Sequence, residues 1–270
     1  MLKLSVSNII WPKGKDNLES FFAEISSNNI NTVELALSCI WQEPIEVTNK
    51  EIQWLRELLK KYQLKLCSLH SLTYTHPELE LFRNQKVQNQ LIDYLKGYID
   101  IARKLECENI VFGSPKSRNT FGKKKEELND LFVFFLQEID FICEKINFNI
   151  EPLAKDYCSY LNSYMEGVNL LRYQSFKNIK IQFDIRSILE SNENIEEIFQ
   201  NFEYVRHAHT GNPGLEIPGG IWKEQHLKIK EQLQCKEYSG YISAEILNKS
   251  EKDPSSFLVQ AINSTRKIYG

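Results

Sequence analysis

The chain has 270 residues, of which 42% are hydrophobic and 26% are charged, and its formal net charge is −3. This length and apolar content predict a folded globular protein with a large core. The charge balance argues against a nucleic-acid partner, which usually requires a basic surface. No apolar run approaches the ~20 residues that span a bilayer, so no membrane partner is expected.

Six cysteines are spread along the chain without a C-x-x-C pair or a regular spacing. Several lie in apolar runs, where a free thiol behaves as a small core side chain. The segment Met1–Val6 becomes polar too soon for a signal peptide. These features predict a cytoplasmic protein, and the sequence leaves its oligomeric state, including a homo-oligomer, open.

A strand followed by a helix recurs eight times along the chain, which favours a closed barrel over an open sheet. Between the strands, apolar residues recur at helical spacing, as in residues 52–62. The sequence therefore predicts an α/β fold, a single (β/α)8 TIM barrel domain over residues 1–270. The strands are predicted, in chain order, at Leu2–Ser7, Thr32–Leu37, Lys65–His70, Asn109–Gly113, Phe148–Glu151, Ile179–Asp184, Tyr204–His209 and Gly240–Ile246.

Four of the predicted strands end in an ionisable residue: Glu151, Asp184, His209 and Glu245. In a parallel barrel the C-terminal ends of all strands open on one face, so these four side chains are expected to converge. Taken singly, each is explained as well by a helix cap, a turn residue or a satisfied polar group. Together, three carboxylates and one imidazole predict a site for one divalent metal ion, Mn²⁺, Mg²⁺, Co²⁺ or Zn²⁺.

The seventh strand offers two histidines, His207 and His209, which are two residues apart and therefore point the same way. His209 is the last residue of the predicted strand, at the height of the other candidate ligands, so it is predicted to bind the metal. His207 is expected one layer deeper, where it would support a ligand or contact the substrate.

Two glutamates around one cation suggest proton transfer next to a carbonyl group. The cation would stabilise an enediolate, while Glu151 and Glu245 remove and return a proton on opposite faces of the substrate.

Several short motifs follow the strands in a characteristic order: Ser7-Asn8-Ile9 with Trp11, Val33-Glu34-Leu35-Ala36, Phe112-Gly113-Ser114-Pro115-Lys116, Glu151-Pro152-Leu153, Asp184, His207-Ala208-His209 and Glu245. In this order and spacing the chain resembles, over nearly its whole length, the xylose isomerase-like TIM barrel superfamily. This sugar phosphate isomerase/epimerase group also includes ketose 3-epimerases, inosose dehydratases and endonuclease IV. The motifs are specific for the superfamily and unspecific for the substrate.

The resemblance implies that Glu151, Asp184, His209 and Glu245 bind the metal and that Glu151 and Glu245 are the acid/base pair. It implies a metal-dependent isomerase or epimerase that acts on a sugar or sugar phosphate through an enediolate.

Three positions depart from the ketose 3-epimerase pattern. Ser187 stands where those enzymes usually carry a histidine, and Leu215 stands where they carry a substrate-binding arginine. Residues 154–157 lack the second glutamate that usually follows the Glu-Pro-Leu strand. A standard pocket for a free ketohexose is therefore not expected. The segment 212–216 resembles less well characterised members of the group.

Three alternatives remain open at the level of sequence. The first is dehydration of an inosose-like ketone, which uses the same enediolate chemistry. The second is DNA repair like that of endonuclease IV, which requires three zinc ions and more histidines than the five present here. The third is a sugar-binding barrel without turnover, which the fold alone does not exclude.

The predicted partner is a small sugar-like molecule, and seven residues near strand ends are candidates to bind it. Basic residues after the fourth and sixth strands suit a phosphate or carboxylate group. Two tryptophans after the first two strands would cover a sugar ring, and two histidines would contact hydroxyl groups. In that order the candidates are Lys116, Arg118, Arg186, Trp11, Trp41, His70 and His207.

Overall fold

The computed structural model of the protein describes residues 2–249 and 253–270. Eight parallel strands form a closed barrel in which each strand pairs with its neighbours in the chain and the last pairs with the first. The predicted (β/α)8 barrel is confirmed. The strands are β1 (Lys3–Ser7), β2 (Thr32–Ala36), β3 (Lys65–His70), β4 (Asn109–Phe112), β5 (Asn147–Ile150), β6 (Ile179–Asp184), β7 (Val205–Thr210) and β8 (Tyr241–Ala244).

Helices connect the strands and cover the outside of the barrel. Among the described residues, two short α-helices follow β6, and one α-helix follows each of the other strands. No helix within residues 2–249 and 253–270 is long and apolar enough to cross a membrane. The helices are α1 (Lys15–Ser27), α2 (Asn49–Lys61), α3 (Gln85–Lys104), α4 (Lys125–Cys143), α5 (Tyr164–Leu171), α6 (Ile185–Glu190), α7 (Ile195–Gln200), α8 (Lys223–Cys235) and α9 (Pro254–Tyr269).

The strands lie within two residues of their predicted positions. Glu151 and Glu245 each lie one residue beyond the end of a strand. Their backbones nevertheless continue the ladder, since Glu151 N donates to Phe112 O at 3.1 Å and Glu245 N donates to Thr210 O at 3.0 Å. The barrel hydrogen bonds therefore hold both glutamates at the C-terminal rim.

The junction between β6 and α6 has no loop. Asp184 is both the last residue of β6 and the N-cap of α6, and its side chain accepts a hydrogen bond from Arg186 N. This cap satisfies a backbone donor that a helix start otherwise leaves unpaired. One residue thus ends a strand, begins a helix and places a carboxylate at the rim.

The two sides of the barrel wall differ in chemistry. Between the strands and the helices lies an apolar core rich in aromatic rings, as in the stacked pair Phe112 and Phe148 with Phe135 beside them. The strands also carry buried polar side chains, among them Glu34, Asn149 and Gln182. TIM barrels usually fill their interior with branched apolar residues, so this polar content is unusual for the fold.

The loop after β7 is tied to the last two helices through His226 on α8. Asn212 Oδ1 accepts hydrogen bonds from Gly219 N at 3.2 Å and from His226 Nε2 at 2.9 Å, so that ring nitrogen carries the proton. His226 Nδ1 then accepts from the Tyr269 hydroxyl at 2.5 Å. Burial lowers the pKa of His226 from 6.5 to about 4, so the neutral ring is the form that fits.

This buried histidine predicts a loss of stability in acid. Because its folded-state pKa is depressed, His226 stabilises the fold above pH 6.5, and that contribution is lost as the pH falls toward about 4. The full loss amounts to about 3 kcal/mol, estimated at 1.4 kcal/mol per pKa unit. Glutamine can replace both hydrogen bonds but does not titrate. We therefore expect the free energy of unfolding of wild type to fall more steeply between pH 6.5 and pH 4 than that of His226→Gln. Urea denaturation at both pH values measures this, and equal pH slopes would contradict it.

Candidate active site

Three of the four predicted ligands meet at the C-terminal rim of the barrel. His209 Nδ1 lies 3.0 Å from Glu151 Oε1 and 3.4 Å from Glu245 Oε2. One ligand atom from each of these residues lies within 4.8 Å of the other two, as is required of groups that could hold a metal ion. The residues come from β7 and from the ends of β5 and β8, so the closed barrel brings them together.

The fourth predicted ligand, Asp184, lies beside this group with both oxygens engaged by Arg186. Oδ1 accepts from the Arg186 backbone N–H at 3.0 Å, and Oδ2 accepts from Nε at 3.2 Å and from Nη2 at 2.9 Å. Asp184 is absent from the close-spaced group of Glu151, His209 and Glu245. Its charge still acts on that group, since it helps to raise the pKa of Glu151.

Glu34 on β2 is a central residue of the site that sequence reasoning did not select. Its Oε1 lies 2.9 Å from His209 Nε2 and 3.0 Å from His207 Nε2, and neither carboxylate oxygen is exposed. Glu34, His70 and His209 form a second close-spaced group. The available signal was one carboxylate inside the otherwise apolar strand Val33-Glu34-Leu35-Ala36, where a buried charge requires partners.

The structure places the two other histidines of the site against protein groups. His70 Nε2 lies 2.6 Å from the Ser7 hydroxyl, and His70 Nδ1 lies 3.3 Å from Glu245 Oε1. His70 also lines the cavity described below. His207 is fully buried and reaches His209 through Glu34, at the deeper level expected for it.

The two glutamates that flank His209 have pKa values displaced in opposite directions. Burial raises the pKa of Glu151, and repulsion from Glu245 and Asp184 raises it further. The hydrogen bond with His209 lowers this pKa but does not outweigh the other effects. Burial also opposes ionisation of Glu245, but attraction to His209, His70 and Arg186 outweighs it and holds the pKa of Glu245 well below its usual value. The environment of Glu151 therefore favours the protonated carboxyl more than that of Glu245, which favours the charged form.

The positive groups of the site balance these carboxylates. Burial disfavours a charged imidazole, yet attraction to Glu34 and Glu245 raises the pKa of His209 well above its usual value. The same two carboxylates raise the pKa of His70. Burial lowers the pKa of His207 in spite of its attraction to Glu34, and the lowered pKa favours the neutral ring.

A cavity of about 470 Å³ opens above the cluster. Five of the predicted site residues line it: His70, Lys116, Glu151, Arg186 and Glu245. Its wall also includes Tyr74 and Tyr157, which were not selected from the sequence. The Arg186 guanidinium lies 5.6 Å from the Tyr157 ring, and Lys13 Nζ lies 4.4 Å from the Tyr74 ring. The cavity thus combines carboxylates, cations and aromatic faces, as a polar ring-shaped molecule requires.

Three other predicted contacts lie outside the lining of this cavity. Trp11 packs 5.9 Å from Phe21, and Trp41 packs edge-on against Trp54 at 6.2 Å. Arg118 is fully buried, and its Nη2 donates to Gly113 O at 3.1 Å. Arg118 therefore contacts the backbone of the wall from behind.

Gly113 is required for the position of Glu151. A Cβ at Gly113 would lie 1.6 Å from Glu151 Oε2, which is far inside van der Waals contact. Since Glu151 is itself held by the barrel ladder and by His209, the glycine leaves the room in which its carboxylate reaches the cluster.

We expect Gly113→Ala to displace the Glu151 carboxylate and to weaken divalent-metal binding by about tenfold, the usual effect of disturbing a ligand's support. Isothermal titration with Mn²⁺ or Zn²⁺ measures the change. Gly122→Ala is the control, because a Cβ there meets nothing within 4 Å, although its φ of 71° makes the substitution strained. The control should lose some stability and keep its metal affinity. Equal affinities in both variants would contradict the role of Gly113.

Comparisons with known proteins agree with this architecture. A family model described as xylose isomerase-like TIM barrel matches residues 22–267. The D-psicose 3-epimerase of Clostridium cellulolyticum H10, solved with D-tagatose, superposes with a TM-score of 0.82 at 16% identity over 99% of each chain. No curated protein sequence matches.

Two further solved structures have the same fold. The 3-keto-D-glucoside 4-epimerase of E. coli gives a TM-score of 0.81 at 13% identity, with 99% of this chain and 100% of that chain covered. The IolI protein with a zinc atom gives 0.79 at 18% identity, with 99% and 98% covered. At these identities the likeness shows a shared fold.

Proposed function

Because the chain belongs to the xylose isomerase-like TIM barrel family, we propose that it is a divalent-metal-dependent isomerase or epimerase of a sugar or sugar phosphate. The observation that carries the proposal is the pair of glutamates around His209, whose pKa values are displaced in opposite directions beneath one cavity. The names of the structural neighbours support it, since the first two are sugar epimerases and one neighbour was solved with zinc.

The donor set fits a divalent metal ion. Glu151, His209 and Glu245 supply carboxylate oxygens and one imidazole nitrogen, a mixture that Mn²⁺, Mg²⁺, Co²⁺ and Zn²⁺ accept. Glu245 Oε2 is buried without a hydrogen-bond partner, so it has capacity for a cation. Asp184 is the proposed fourth ligand, because each carboxylate oxygen has two lone pairs and Oδ1 accepts only the bond from Arg186 N.

The protein's own groups divide the proton transfer between them. A bound divalent ion would stabilise the negative charge that develops on the carbonyl and hydroxyl oxygens of the substrate. Glu245, which favours its charged form, takes a proton from the carbon next to the carbonyl. Glu151, whose raised pKa makes it the better proton donor of the two, returns a proton to the resulting enediolate. The two roles exchange in the reverse reaction.

Dehydration of a polyol-derived ketone remains the second candidate reaction, because it begins with the same proton removal. Endonuclease-like repair is less well supported by the placement of the histidines. His76 pairs with Glu43 at 3.1 Å and His226 bonds to Tyr269, so neither joins His70, His207 and His209 at the rim. A sugar-binding barrel without turnover would have no use for two carboxyl groups whose pKa values are displaced in opposite directions.

Glu151→Gln and Glu245→Gln should each lower kcat by roughly 100-fold or more while nearly preserving side-chain volume, because an acid/base group commonly contributes that much. The assay incubates metal-loaded protein with sugars, sugar phosphates and inososes in D₂O and detects deuterium on carbon. Loss of one water in the product mass identifies dehydration. Glu80→Gln, a buried glutamate paired with Arg83, is the matched control and should retain activity. Near-wild-type turnover in either active-site variant would show that the roles are assigned wrongly.

The basic residues of the cavity suit an anionic substrate. Lys116 and the largely buried Arg186 both line it, and a guanidinium in a site poor in water binds phosphate or carboxylate well. We propose that the substrate carries such a group. Arg118, the third basic candidate, would act on this group only through the wall that it supports.

With metal present, a phosphorylated or acidic sugar should bind more tightly than its neutral counterpart by about tenfold, or about 1.4 kcal/mol. Lys116→Gln and Arg186→Gln should each reduce this preference, and Lys124→Gln, an exposed control outside the cavity, should leave it unchanged. Calorimetric titration of both ligands measures the ratio. Equal affinity of wild type for the charged and neutral forms would rule the preference out.

A further inference from the structure

Glu34 contacts the candidate metal ligand from the far side of the barrel. The strand neighbours of β2 are β1 and β3, whereas His209 lies on β7. The contact between Glu34 and His209 therefore crosses the barrel interior. Glu34 has no exposed surface, and every residue of its strand is buried.

Glu34 Oε1 determines where the ring protons of two histidines lie. An ionised carboxylate only accepts hydrogen bonds, so His209 Nε2 and His207 Nε2, at 2.9 and 3.0 Å, must both carry hydrogen. In a neutral His209 the lone pair is then on Nδ1. That nitrogen is the one that lies 3.0 Å from Glu151 Oε1 and 3.4 Å from Glu245 Oε2.

We propose that Glu34 is a positioning residue that holds His209 with Nε2 protonated and Nδ1 directed at the metal ion. The proposal rests on the metal site of the proposed function. A carboxylate that accepts from the outer nitrogen of a histidine ligand fixes the ring and increases its basicity as a ligand. Glu34 acts through His209, and it does not line the cavity in which the substrate would bind.

His207 supports Glu34 rather than His209 directly. It donates to the same Oε1 atom, and its ring lies nearly perpendicular to that of His209, at 86° and 5.4 Å. Two donors on one oxygen hold the carboxylate in a single orientation, while Oε2 has no hydrogen-bond partner. The buried chain therefore runs from His207 to Glu34 to His209 and ends at the two glutamates of the acid/base pair.

A second cation held by Glu34, His70 and His209 is the competing interpretation, because their ligand atoms lie close enough together. The contacts favour hydrogen bonding instead. Glu34 Oε1 is already at hydrogen-bond distance from two ring nitrogens, and both nitrogens of His70 face protein partners, Ser7 and Glu245. The metal stoichiometry of wild type decides between the two interpretations.

The test compares Glu34→Gln, which keeps an acceptor oxygen but loses the charge, with Glu34→Leu, which loses both. Glu80→Gln is the control for removing a buried carboxylate elsewhere. Zn²⁺ affinity is measured by competition with a chelator, and the protonated ring nitrogens are identified by NMR of histidine labelled with ¹⁵N. Circular dichroism establishes that each variant is folded.

We expect one Zn²⁺ per wild-type chain, with His209 protonated at Nε2. Binding should weaken by about tenfold in Glu34→Gln and by about 100-fold in Glu34→Leu, the span reported for groups that support metal ligands. In Glu34→Leu the Nε2 proton of His209 should no longer be fixed. The control should match wild type in both measurements.

Three results would overturn the inference. If Glu34→Leu binds Zn²⁺ as wild type does, Glu34 has no positioning role. The same conclusion follows if Glu34→Leu does not fold and Glu34→Gln binds Zn²⁺ within about twofold of wild type. If wild type binds two ions and the variants bind one, Glu34 is a ligand of a second site. If wild type binds no divalent ion, the proposed function itself fails, and this outcome is distinct from the first two.

Discussion

The structure depends on charge compensation among ionisable groups buried at one end of the barrel. Four carboxylates lie there: Glu34, Glu151 and Asp184 are buried, and the side chain of Glu245 is 12% exposed. An uncompensated buried charge is strongly destabilising. The compensation comes from Arg186 and from two histidines whose pKa values are raised, His70 and His209. Each of the three contacts at least one of these carboxylates.

His209 is the point where these interactions meet. Its two ring nitrogens contact three carboxylates that arrive from β2, β5 and β8, so the imidazole joins strands from different parts of the barrel. A divalent ion held by Glu151, His209 and Glu245 would require His209 Nδ1 without a proton, so binding would release any proton carried there.

The same compensation explains the character of Asp184. Arg186 follows it by two residues, forms an ion pair at 2.9 Å and also lines the cavity. One arginine thus stabilises a candidate ligand and presents a cation to the cavity. Ser187, where ketose 3-epimerases usually carry a histidine, is buried on α6 with its hydroxyl unpaired. The chemistry next to β6 therefore differs from the ketose 3-epimerase pattern.

The sequence alone determined the barrel, the strand positions and most of the rim. Alternating strand and helix patterns depend on local periodicity, which the sequence contains. The C-terminal ends of all parallel strands open on the same face of a barrel, so the sequence was sufficient to predict that Glu151, His209 and Glu245 lie close together. Only the tertiary structure decided the rest, because contacts across the barrel have no signature in local sequence. It placed Glu34 against two histidines more than 170 residues away, paired Asp184 with Arg186, and directed Trp11, Trp41 and Arg118 away from the cavity lining. Position along the chain predicts which end of a strand a residue occupies, but the packing of neighbouring side chains decides what that residue contacts.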